Sequence, residues 1–409
     1  MKTVVFIETN FSGLDAIRYC TEQGYRAVLV TDSLERFRKW FPASCMSKLD
    51  LADTIIQVGN SNDFDEVRQV LEDELGTVDA LLTFAEIRTH VTARLCAALG
   101  LPGANPDAIA IAQDKHRFRQ VLLEKGADDV HCRKIDRIDR LQELKAELAF
   151  PCFLKPLQGH SSIGATVCAD ASQVERVVAS LRGITEDWIS AAFVAEDYLQ
   201  GDLVSVELLT TGPGQHQVVG VADRDVIKDS IEIGSSFPVI DARRDAAIRK
   251  ACMALDAIGY DFGPSHVEII VTASGPHLVE VNTRVGGSGH SVMLDLATSR
   301  SIVGDCVELC LGNLVACGEL YRPTQGAAWK CFVSEATGII RQMPPVEAIR
   351  DHAGVKEVWL HHEAGDQINS LSSNYSWIVQ VMCTGKDRQE AKRNAARAID
   401  FVAAHTVIA

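Results

Sequence analysis

Two adjacent segments with the alternation of β-strands constrain the fold most strongly, His266–Val271 and His277–Gly289. Side chains two residues apart on a strand face the same way. In the second segment Glu280, Asn282 and Arg284 therefore lie on one face. The apolar residues between them face the opposite side and provide the packing that holds the strand. We therefore predict an antiparallel strand pair that presents a row of polar side chains.

The turn between these segments determines which residues face each other. We predict a three-residue turn centred on Ser274, which sets Glu268 opposite Glu280 and His266 opposite Asn282. Directly opposed like charges destabilise a sheet unless something binds between them. Two carboxylates and an amide oxygen form a cluster of the oxygen ligands that Mg²⁺ accepts, with positions left for water and phosphate. The alternative is the ordinary solvent-facing side of a hairpin.

Composition limits the class of protein. The chain of 409 residues is 47% hydrophobic and 23% charged, enough for two to four domains with substantial cores. A net charge of −15 argues against a nucleic-acid partner, because binding to phosphates needs a basic surface. We find neither an apolar run near the roughly 20 residues that span a bilayer nor a signal-peptide pattern. The 12 cysteines are scattered without a Cys-x-x-Cys pair, as expected for reduced thiols. We expect a cytoplasmic protein without a membrane partner.

Strand and helix patterns alternate along the first hundred residues, which predicts a doubly wound parallel sheet. The turn after Glu8 lacks Gly-x-Gly-x-x-Gly, so the dinucleotide fingerprint is absent. A linker, Leu101–Pro106, precedes a predicted helix, Asp107–Lys125. The other predicted elements are the strands Lys2–Glu8, Ala27–Thr31, Ile55–Val58, Ala80–Thr83 and Ser376–Cys383, and the helices Phe64–Glu74, His90–Leu99 and Arg388–Ala404.

A second motif joins a strand to a loop rich in glycine and serine, Phe153–Ala165. The apolar strand ends with Lys155, and Pro156 ends its regular pairing. A lysine buried at a strand end is costly without an anionic partner. Loops of this composition present N–H groups and hydroxyls to phosphate oxygens. The alternative is a hairpin loop with an exposed lysine. Because Ala165 follows Gly164 where a Walker A sequence has lysine, the motif is not a P-loop.

Two weaker elements stand on either side of that motif. Asp114 and Lys115 fall inside the predicted helix, where alone they would be solvated charges. Phe193–Glu207 has the pattern of a strand, a polar break at Gly201 and another strand. Such a break exposes backbone groups that could contact an adenine edge, with Glu196 accepting from the amino group. Neither element indicates a function by itself.

In their order along the chain, these elements resemble the ATP-grasp superfamily. The order is a helix lysine, a strand lysine with a Gly/Ser loop, Glu-x-x-Leu-x-Gly, His-x-Glu and Glu-x-Asn-x-Arg-x-Gly-Gly, of which the last is the specific part. The layout is similar to that of L-amino-acid ligases that make dipeptides, including dapdiamide-synthase-like enzymes. The resemblance implies an α/β protein with an N-terminal doubly wound parallel-sheet domain (1–105), the small lid subdomain (106–190) and large metal-binding subdomain (191–315) of an ATP-grasp fold, and a C-terminal α+β segment (316–409).

The resemblance also implies an ATP-dependent carboxylate–amine ligase. A carboxylate would attack the γ-phosphate to give an acyl phosphate and ADP, and an amine would then displace phosphate, with an amino acid as one substrate. Mg²⁺, with Mn²⁺ as the alternative ion, would be the metal, and a homodimer is expected. The implied residues are Glu268, Glu280 and Asn282 for the metal; Lys115, Lys155, Gly159, Ser161, Ser162, Gly164, Glu196, Leu199 and Asp202 for the nucleotide; Arg284 and Lys155 for catalysis; and Arg284, Gly287 and His290 for the substrate.

The sequence departs from the family pattern at one position. The family often has glutamate two residues after Gly201, where it can hold the ribose hydroxyls, but this chain has Leu203, with Asp202 as the candidate substitute. His290 has an alternative as well, because a lone histidine is more often structural than a ligand. For the pocket lining we predict loops at Asp229–Pro238 and around Trp329.

Three other functions fit the same motifs. A purine-pathway or biotin-carboxylase-like ligase would use the same ATP site, and the carboxylase would require bicarbonate. A kinase of the same fold would turn over one substrate without an amine. A non-catalytic ATP-binding sensor would keep the lysines without needing the paired metal carboxylates, so the presence of both Glu268 and Glu280 disfavours it.

Overall fold

A computed structural model describes residues 1–40, 43–159, 161–184, 189–228, 230–314 and 321–409. It has the predicted α/β class, with four sheets. Asp229 of the predicted pocket loop and the predicted boundary at 315/316 lie outside these ranges. Within the ranges, no helix combines the length and the apolar character needed to cross a membrane.

The N-terminal domain is the predicted parallel sheet, with strand order β3-β2-β1-β4. Alternate residues of its first strand belong to two cores: Val4 packs with the first helix, and Val5 packs with the helices of the opposite face. Helices therefore cover both faces, as in doubly wound folds. The elements are β1 (Thr3–Ile7), α1 (Phe11–Glu22), β2 (Arg26–Thr31), α2 (Leu34–Trp40), α3 (Ala43–Met46), β3 (Thr54–Gln57), α4 (Phe64–Glu74), β4 (Ala80–Leu82) and α5 (Thr89–Leu99), with 3₁₀ helices at Leu49–Leu51 and Glu86–Arg88.

The single helix predicted over Asp107–Lys125 is wrong, because the structure has two helices there. They are α6 (Pro106–Gln113) and α7 (Lys115–Glu124). Asp114 between them has an extended backbone (φ −98°, ψ 100°), and its side chain accepts from the N–H of Arg117, 2.9 Å away. A capped start satisfies an N–H group that an uninterrupted helix would have bonded differently. Lys115 is therefore the first residue of a helix, and its side chain reaches the loop after Pro156, where it donates to the carbonyl of Gly159.

A small antiparallel sheet follows, with strand order β5-β8-β6-β7. Its last strand in sequence, Phe193–Asp197, pairs with both Cys132–Ile135 and Cys152–Pro156. The predicted polar break, residues 198–201, thus separates the last strand of this sheet from the first strand of the next. The elements are β5 (Cys132–Ile135), α8 (Leu141–Leu144), β6 (Cys152–Pro156), β7 (Thr166–Cys168), α9 (Val174–Leu181) and β8 (Phe193–Asp197), with a 3₁₀ helix at Ile138–Arg140.

A large antiparallel sheet of eight strands joins the rest of the chain, in the order β13-β12-β9-β10-β11-β14-β18-β16. The predicted loop at 229–238 is wrong, because residues 231–237 form a strand of this sheet. The elements are β9 (Asp202–Thr210), β10 (His216–Ile227), β11 (Ile231–Phe237), α10 (Arg243–Ile258), β12 (Gly263–Thr272), β13 (Gly275–Asn282), α11 (His290–Thr298), α12 (Ile302–Cys310), β14 (Gly326–Phe332), β15 (Gly338–Gln342), α13 (Val346–Arg350), β16 (Val355–Leu360), β17 (Gln367–Ile368), a 3₁₀ helix at Asn374–Ser376, β18 (Val379–Gly385), α14 (Arg388–His405) and β19 (Val407–Ile408). Strands β15, β17 and β19 form the fourth sheet.

The hairpin of β12 and β13 has the predicted register at the polar residues of its two strands. Glu268 pairs with Glu280, and His266 pairs with Asn282. The turn itself is one residue shorter than predicted, since Thr272 pairs with Gly275. A bulge at Val279, just before Glu280, compensates, because Glu268 pairs with Glu280 while the next residue of β12 pairs with Leu278. The hairpin therefore keeps both carboxylates on one face.

Candidate active site

One cavity of about 1700 Å³ lies between the N-terminal domain, the small sheet, the large sheet and the C-terminal strands. Most of the predicted site residues line it. Those that line it are Lys115, Lys155, Gly159, Ser161, Ser162, Glu196, Leu199, Glu268, Glu280, Asn282, Arg284 and Gly287. Gly164, Asp202 and His290 are not among its lining residues.

The strand pair β12–β13 brings three oxygen-bearing side chains to the cavity. Glu268 and Glu280 are opposed across the hairpin, and the amide nitrogen of Asn282 donates to Glu280, 3.0 Å away. Burial alone would raise the pKa of Glu268, but the guanidinium of Arg224 and a hydrogen bond from His266 hold it well below its usual range. An ionised carboxylate, a second carboxylate and the Asn282 carbonyl oxygen are the donor set that Mg²⁺ prefers, so these residues fit that ion.

Three buried side chains behind Glu268 were not predicted from the sequence: Glu207, Arg224 and Glu232. His266 Nδ1 lies 2.6 Å from Glu207 on β9, and His266 Nε2 lies 2.8 Å from Arg224 Nη1 on β10. Arg224 Nη1 also donates to Glu268, 3.4 Å away, and its other terminal nitrogen pairs with Glu232 on β11. Each partner lies on a neighbouring strand, so only the sheet topology reveals the group. Through Arg224 and His266, this group fixes the position of the Glu268 carboxylate.

Two lysines face the same cavity from the small subdomain. Lys155 Nζ lies 2.9 Å from Glu196 and donates to the carbonyl of Val279, 3.3 Å away. Lys115 Nζ donates to the carbonyl of Gly159, 3.2 Å away, and lies 4.0 Å from Glu280. Burial lowers the pKa of Lys115, an effect only partly offset by Glu280. Both amines are thus held near carboxylates on the cavity wall.

Glu196, for which we predicted an adenine contact, lines the cavity beside two buried cations. Its two oxygens each accept from Arg119 on α7 at 3.0 Å, and one also pairs with Lys155. Burial opposes ionisation, but these two cations lower the pKa of Glu196 to about 2. The carboxylate keeps further acceptor sites, so the adenine contact of Glu196 stays a prediction. Arg119 lies four residues after Lys115, on the same face of α7, and that spacing was the signal available in the sequence.

The same two cations account for the bulge in β13. Arg119 donates to the carbonyls of Leu278 and Val279, at 2.7 and 3.2 Å, and Lys155 donates to the second of these. A bulge leaves one residue out of the ladder, and here its carbonyl meets buried cations. Through the carbonyl of Val279, the bulge thus bonds the strand that carries Lys155 to the strand pair that carries Glu268 and Glu280, which we call the metal-type strand pair.

The Gly/Ser loop lines the cavity with a strained backbone. Ser161 and Ser162 have φ angles of 62° and 60°, a conformation that costs a non-glycine residue about 1–3 kcal/mol. Ser162 Oγ donates to the carbonyl of Ser230, 2.6 Å away. Gly164, also predicted to contact phosphate, is turned into the subdomain instead, where a Cβ atom would come within 2.6 Å of Ile184. Its missing side chain therefore serves packing.

The guanidinium of Arg284 joins the metal-type strand to the N-terminal domain. Its Nη2 donates to Asn282 Oδ1, 3.2 Å away, and its Nε lies 2.9 Å from Glu86 Oε2. Burial raises the pKa of Glu86, with Arg284 opposing the shift. Glu86 was not predicted; its only signal in the sequence is its position just after strand β4. The pair sets one positive and one negative group side by side on the cavity wall.

Two sequence profiles match the segments that build this cavity. The profile of the ATP-grasp domain matches residues 148–292, and the profile of L-amino acid ligase C-terminal domain 2 matches residues 330–407. Together with the ordered lysines, carboxylates and Arg284 described above, the first match confirms the predicted resemblance of this chain to the ATP-grasp superfamily. The second match shows its similarity to the L-amino acid ligases.

Known proteins show the same similarity. The chain is 23% identical over 320 residues to uncharacterized protein y4rH of Sinorhizobium fredii, covering 76% of this chain and 64% of the relative. It is 25% identical over 236 residues to alanine–anticapsin ligase of Bacillus subtilis, covering 52% and 50%. The chain thus spans less than two thirds of the length of either relative. Its fold is similar to the crystal structure of L-amino acid ligase from Bacillus licheniformis, with a TM-score of 0.83, 19% identity and coverage of 100% and 98%.

Asp202, the expected substitute for the family's ribose contact, lies away from the cavity. Asp202 is paired with Arg243 of α10, 3.0 Å away, and its side chain is 71% exposed. Because neighbours on a strand face opposite ways, Leu203 faces the cavity instead, with Leu199 and Phe153. The proposed replacement of the family's ribose contact by Asp202 is therefore wrong for this geometry. This part of the cavity wall is apolar.

His290 lies beneath the cavity floor. Its Nδ1 lies 2.7 Å from the carbonyl of Gly287, and its ring packs against His266 and Trp329. Burial lowers the pKa of His290 to about 3, so the ring is neutral. The predicted substrate contact is wrong, because the histidine supports the turn at Gly287 from below. Trp329, expected to line the pocket, is buried behind it.

Proposed function

We propose that this protein is an ATP-dependent carboxylate–amine ligase that forms an amide or peptide bond through an acyl phosphate, with an amino acid as one substrate. The observation that carries the proposal is the shared cavity of Glu268 and Glu280, the two lysines, and the Arg284–Glu86 pair. No side-chain nucleophile is needed for this chemistry. The similarity to alanine–anticapsin ligase supports an amino acid as a substrate.

In the first step a substrate carboxylate oxygen attacks the γ-phosphorus of ATP and ADP leaves. Mg²⁺ held by Glu268, Glu280 and Asn282 would neutralise phosphate charge and so favour the approach of two anions. Lys115 and Lys155 contribute point charges towards the phosphates. The apolar wall with Leu203 takes the adenine face.

Arg284 acts on the substrate side in this proposal. Its guanidinium offsets charge on the reacting carboxylate. A preorganised contact of this kind lowers the activation barrier by about 3 kcal/mol. Glu86 beside it offers a partner for a substrate ammonium group, so the pair matches the two charges of an amino acid.

In the second step the amine nitrogen attacks the acyl carbon and the phosphate leaves with the former carboxylate oxygen. Water competes for the same carbon, so the loop that carries Ser161 and Ser162 serves to exclude it. We also retain the proposals of a homodimer and a cytoplasmic location, which light scattering and fractionation would test.

The test is phosphate and ADP release measured over pairs of amino acids and small carboxylates. Release that needs both a carboxylate and an amine is expected. Release with one substrate alone would support the kinase, and release that needs bicarbonate would support a biotin-carboxylase-like enzyme; either result overturns the ligase. ATP binding without turnover on any pair would support the sensor.

A further inference from the structure

Asn374 forms hydrogen bonds with two separate parts of the active-site cavity that it lines. Its backbone N–H donates to the carbonyl of Ser161 in the Gly/Ser loop, 3.3 Å away. Its side-chain oxygen accepts from the backbone N–H of Glu232 on β11, 2.9 Å away. The residue opens the 3₁₀ helix Asn374–Ser376, in the segment that matches the L-amino acid ligase C-terminal domain. One residue of the C-terminal segment thus links the loop to the large sheet.

The sheet end of this link leads to the metal-type carboxylates. Glu232 pairs with Arg224, which in turn donates to Glu268, 3.4 Å away. The indole N–H of Trp377 donates to the carbonyl of Glu232, 2.7 Å away, and fixes the backbone there. On the sheet side, Asn374 is therefore held by Glu232, which is itself buried and bonded to Arg224 and Trp377.

The loop end needs such support. Ser161 and Ser162 both hold left-handed backbone angles, which persist only where surrounding contacts enforce them. Tyr375, next to Asn374, also forms a hydrogen bond with Ser161. With the bond from Ser162 to the carbonyl of Ser230, the contacts of this loop converge on β11 and the 3₁₀ helix.

We propose that Asn374 is a positioning residue that holds the Gly/Ser loop in a fixed relation to the Glu232–Arg224 pair and so limits attack of water on the acyl phosphate. The role in water exclusion rests on the proposed ligase function. The mechanical link itself does not. The side-chain oxygen of Asn374 is the essential atom, because it fixes the 3₁₀ helix whose backbone holds Ser161.

The matched variants are Asn374→Ala, which removes the acceptor, and Asn374→Asp, which keeps an acceptor oxygen. Ser372→Ala, at an exposed position in the same segment, is the control. Hydrogen exchange of residues 161–165 is measured in the full chain with ADP and Mg²⁺ present. Loss of one hydrogen bond should speed exchange roughly three- to tenfold in the alanine variant. The aspartate and control variants should match the wild type.

A second readout is the ratio of phosphate released to amide formed, on an amino-acid pair that supports turnover. It should rise several-fold in Asn374→Ala and stay near the wild-type value in Asn374→Asp. Unchanged exchange in the alanine variant, or aspartate behaving like alanine, overturns the proposal. If no pair gives turnover, the ligase proposal fails while the exchange result still decides the link. If Asn374→Ala does not fold, Ser162→Ala must show the same faster exchange, and wild-type exchange there contradicts the link.

Discussion

Arg284 Nε lies 2.9 Å from Glu86 Oε2, so the arginine that the sequence identifies meets a carboxylate from a different domain. This contact joins residues that are almost two hundred positions apart. Both side chains line the cavity, so its wall carries a guanidinium and a carboxyl group side by side.

Glu86→Ala should raise KM for the amino-acid substrate by about tenfold or more while leaving KM for ATP within about twofold, since a buried charge-assisted contact contributes about 1.5–3 kcal/mol. Steady-state kinetics with each substrate varied in turn measures this. Glu74→Ala, at an exposed position of α4, is the matched control. An equal rise in both KM values would show that Glu86 does not act on the amino acid.

Glu280→Gln should reduce ADP formation by about a hundredfold or more while the thermal unfolding temperature stays close to that of the wild type. The change removes one anionic oxygen ligand from a partly exposed side chain, and electrostatic contributions of this kind are large. Coupled ADP assays and circular dichroism measure the two effects. Near-wild-type turnover would contradict the assignment of Glu280 as a metal ligand.

Loss of the Asp202 side chain should have little effect on ATP binding. Asp202→Ala should leave KM for ATP within about twofold, because the carboxylate faces Arg243 rather than the cavity. Leu203→Ala should raise KM several-fold, since truncating an apolar contact surface costs about 1–3 kcal/mol. The reverse order of these two effects in ATP titrations would contradict the strand orientation described here.

Arg119→Met should destabilise the fold by about 3 kcal/mol, because it leaves the buried carboxylate of Glu196 with Lys155 as its remaining cation. Urea denaturation measures the free energy of unfolding. Arg117→Met is the control on the same helix, at an exposed position. A loss no larger than that of the control would mean that Arg119 is not essential to the pair.

Asp295 should make stability depend on pH in an unusual direction. Burial raises the pKa of its carboxyl from 3.8 to about 7, so the folded state binds the proton more tightly than the unfolded chain. Stability from the protonated form is complete below about pH 4 and is lost as pH rises through 7. Asp295→Asn keeps an acceptor for the N–H of Ile302 and should be more stable than wild type at pH 8, with the difference vanishing near pH 4. Thermal unfolding at several pH values checks this, and a constant difference would contradict it.

The predictable part of the site is local in sequence. The strand period and a short hairpin fix Glu268 opposite Glu280 within a span of thirteen residues, and even the misjudged turn is offset by the bulge. Lys155 at the end of a short apolar strand is equally local. These features need no knowledge of the remaining chain.

The unpredicted part depends on the tertiary structure. Arg224, Glu232 and Glu86 come from strands or domains that only the sheet order brings together. Asp114 could be either a helix residue or a cap, and the capping bond to Arg117 decides it. Which of Asp202 and Leu203 faces the cavity depends on how the chain leaves the break before β9. There Gly201 packs so closely on the neighbouring strand that a Cβ atom would lie 2.2 Å from the carbonyl oxygen of Val271.

The most direct test of the central claim is oxygen transfer from the substrate carboxylate to phosphate. The substrate carboxyl is labelled with heavy oxygen, and the phosphate released during turnover is analysed by mass spectrometry. Attack of the carboxylate on the γ-phosphate predicts one labelled oxygen in each phosphate formed with amide. Amide formation with unlabelled phosphate would contradict the acyl-phosphate ligase.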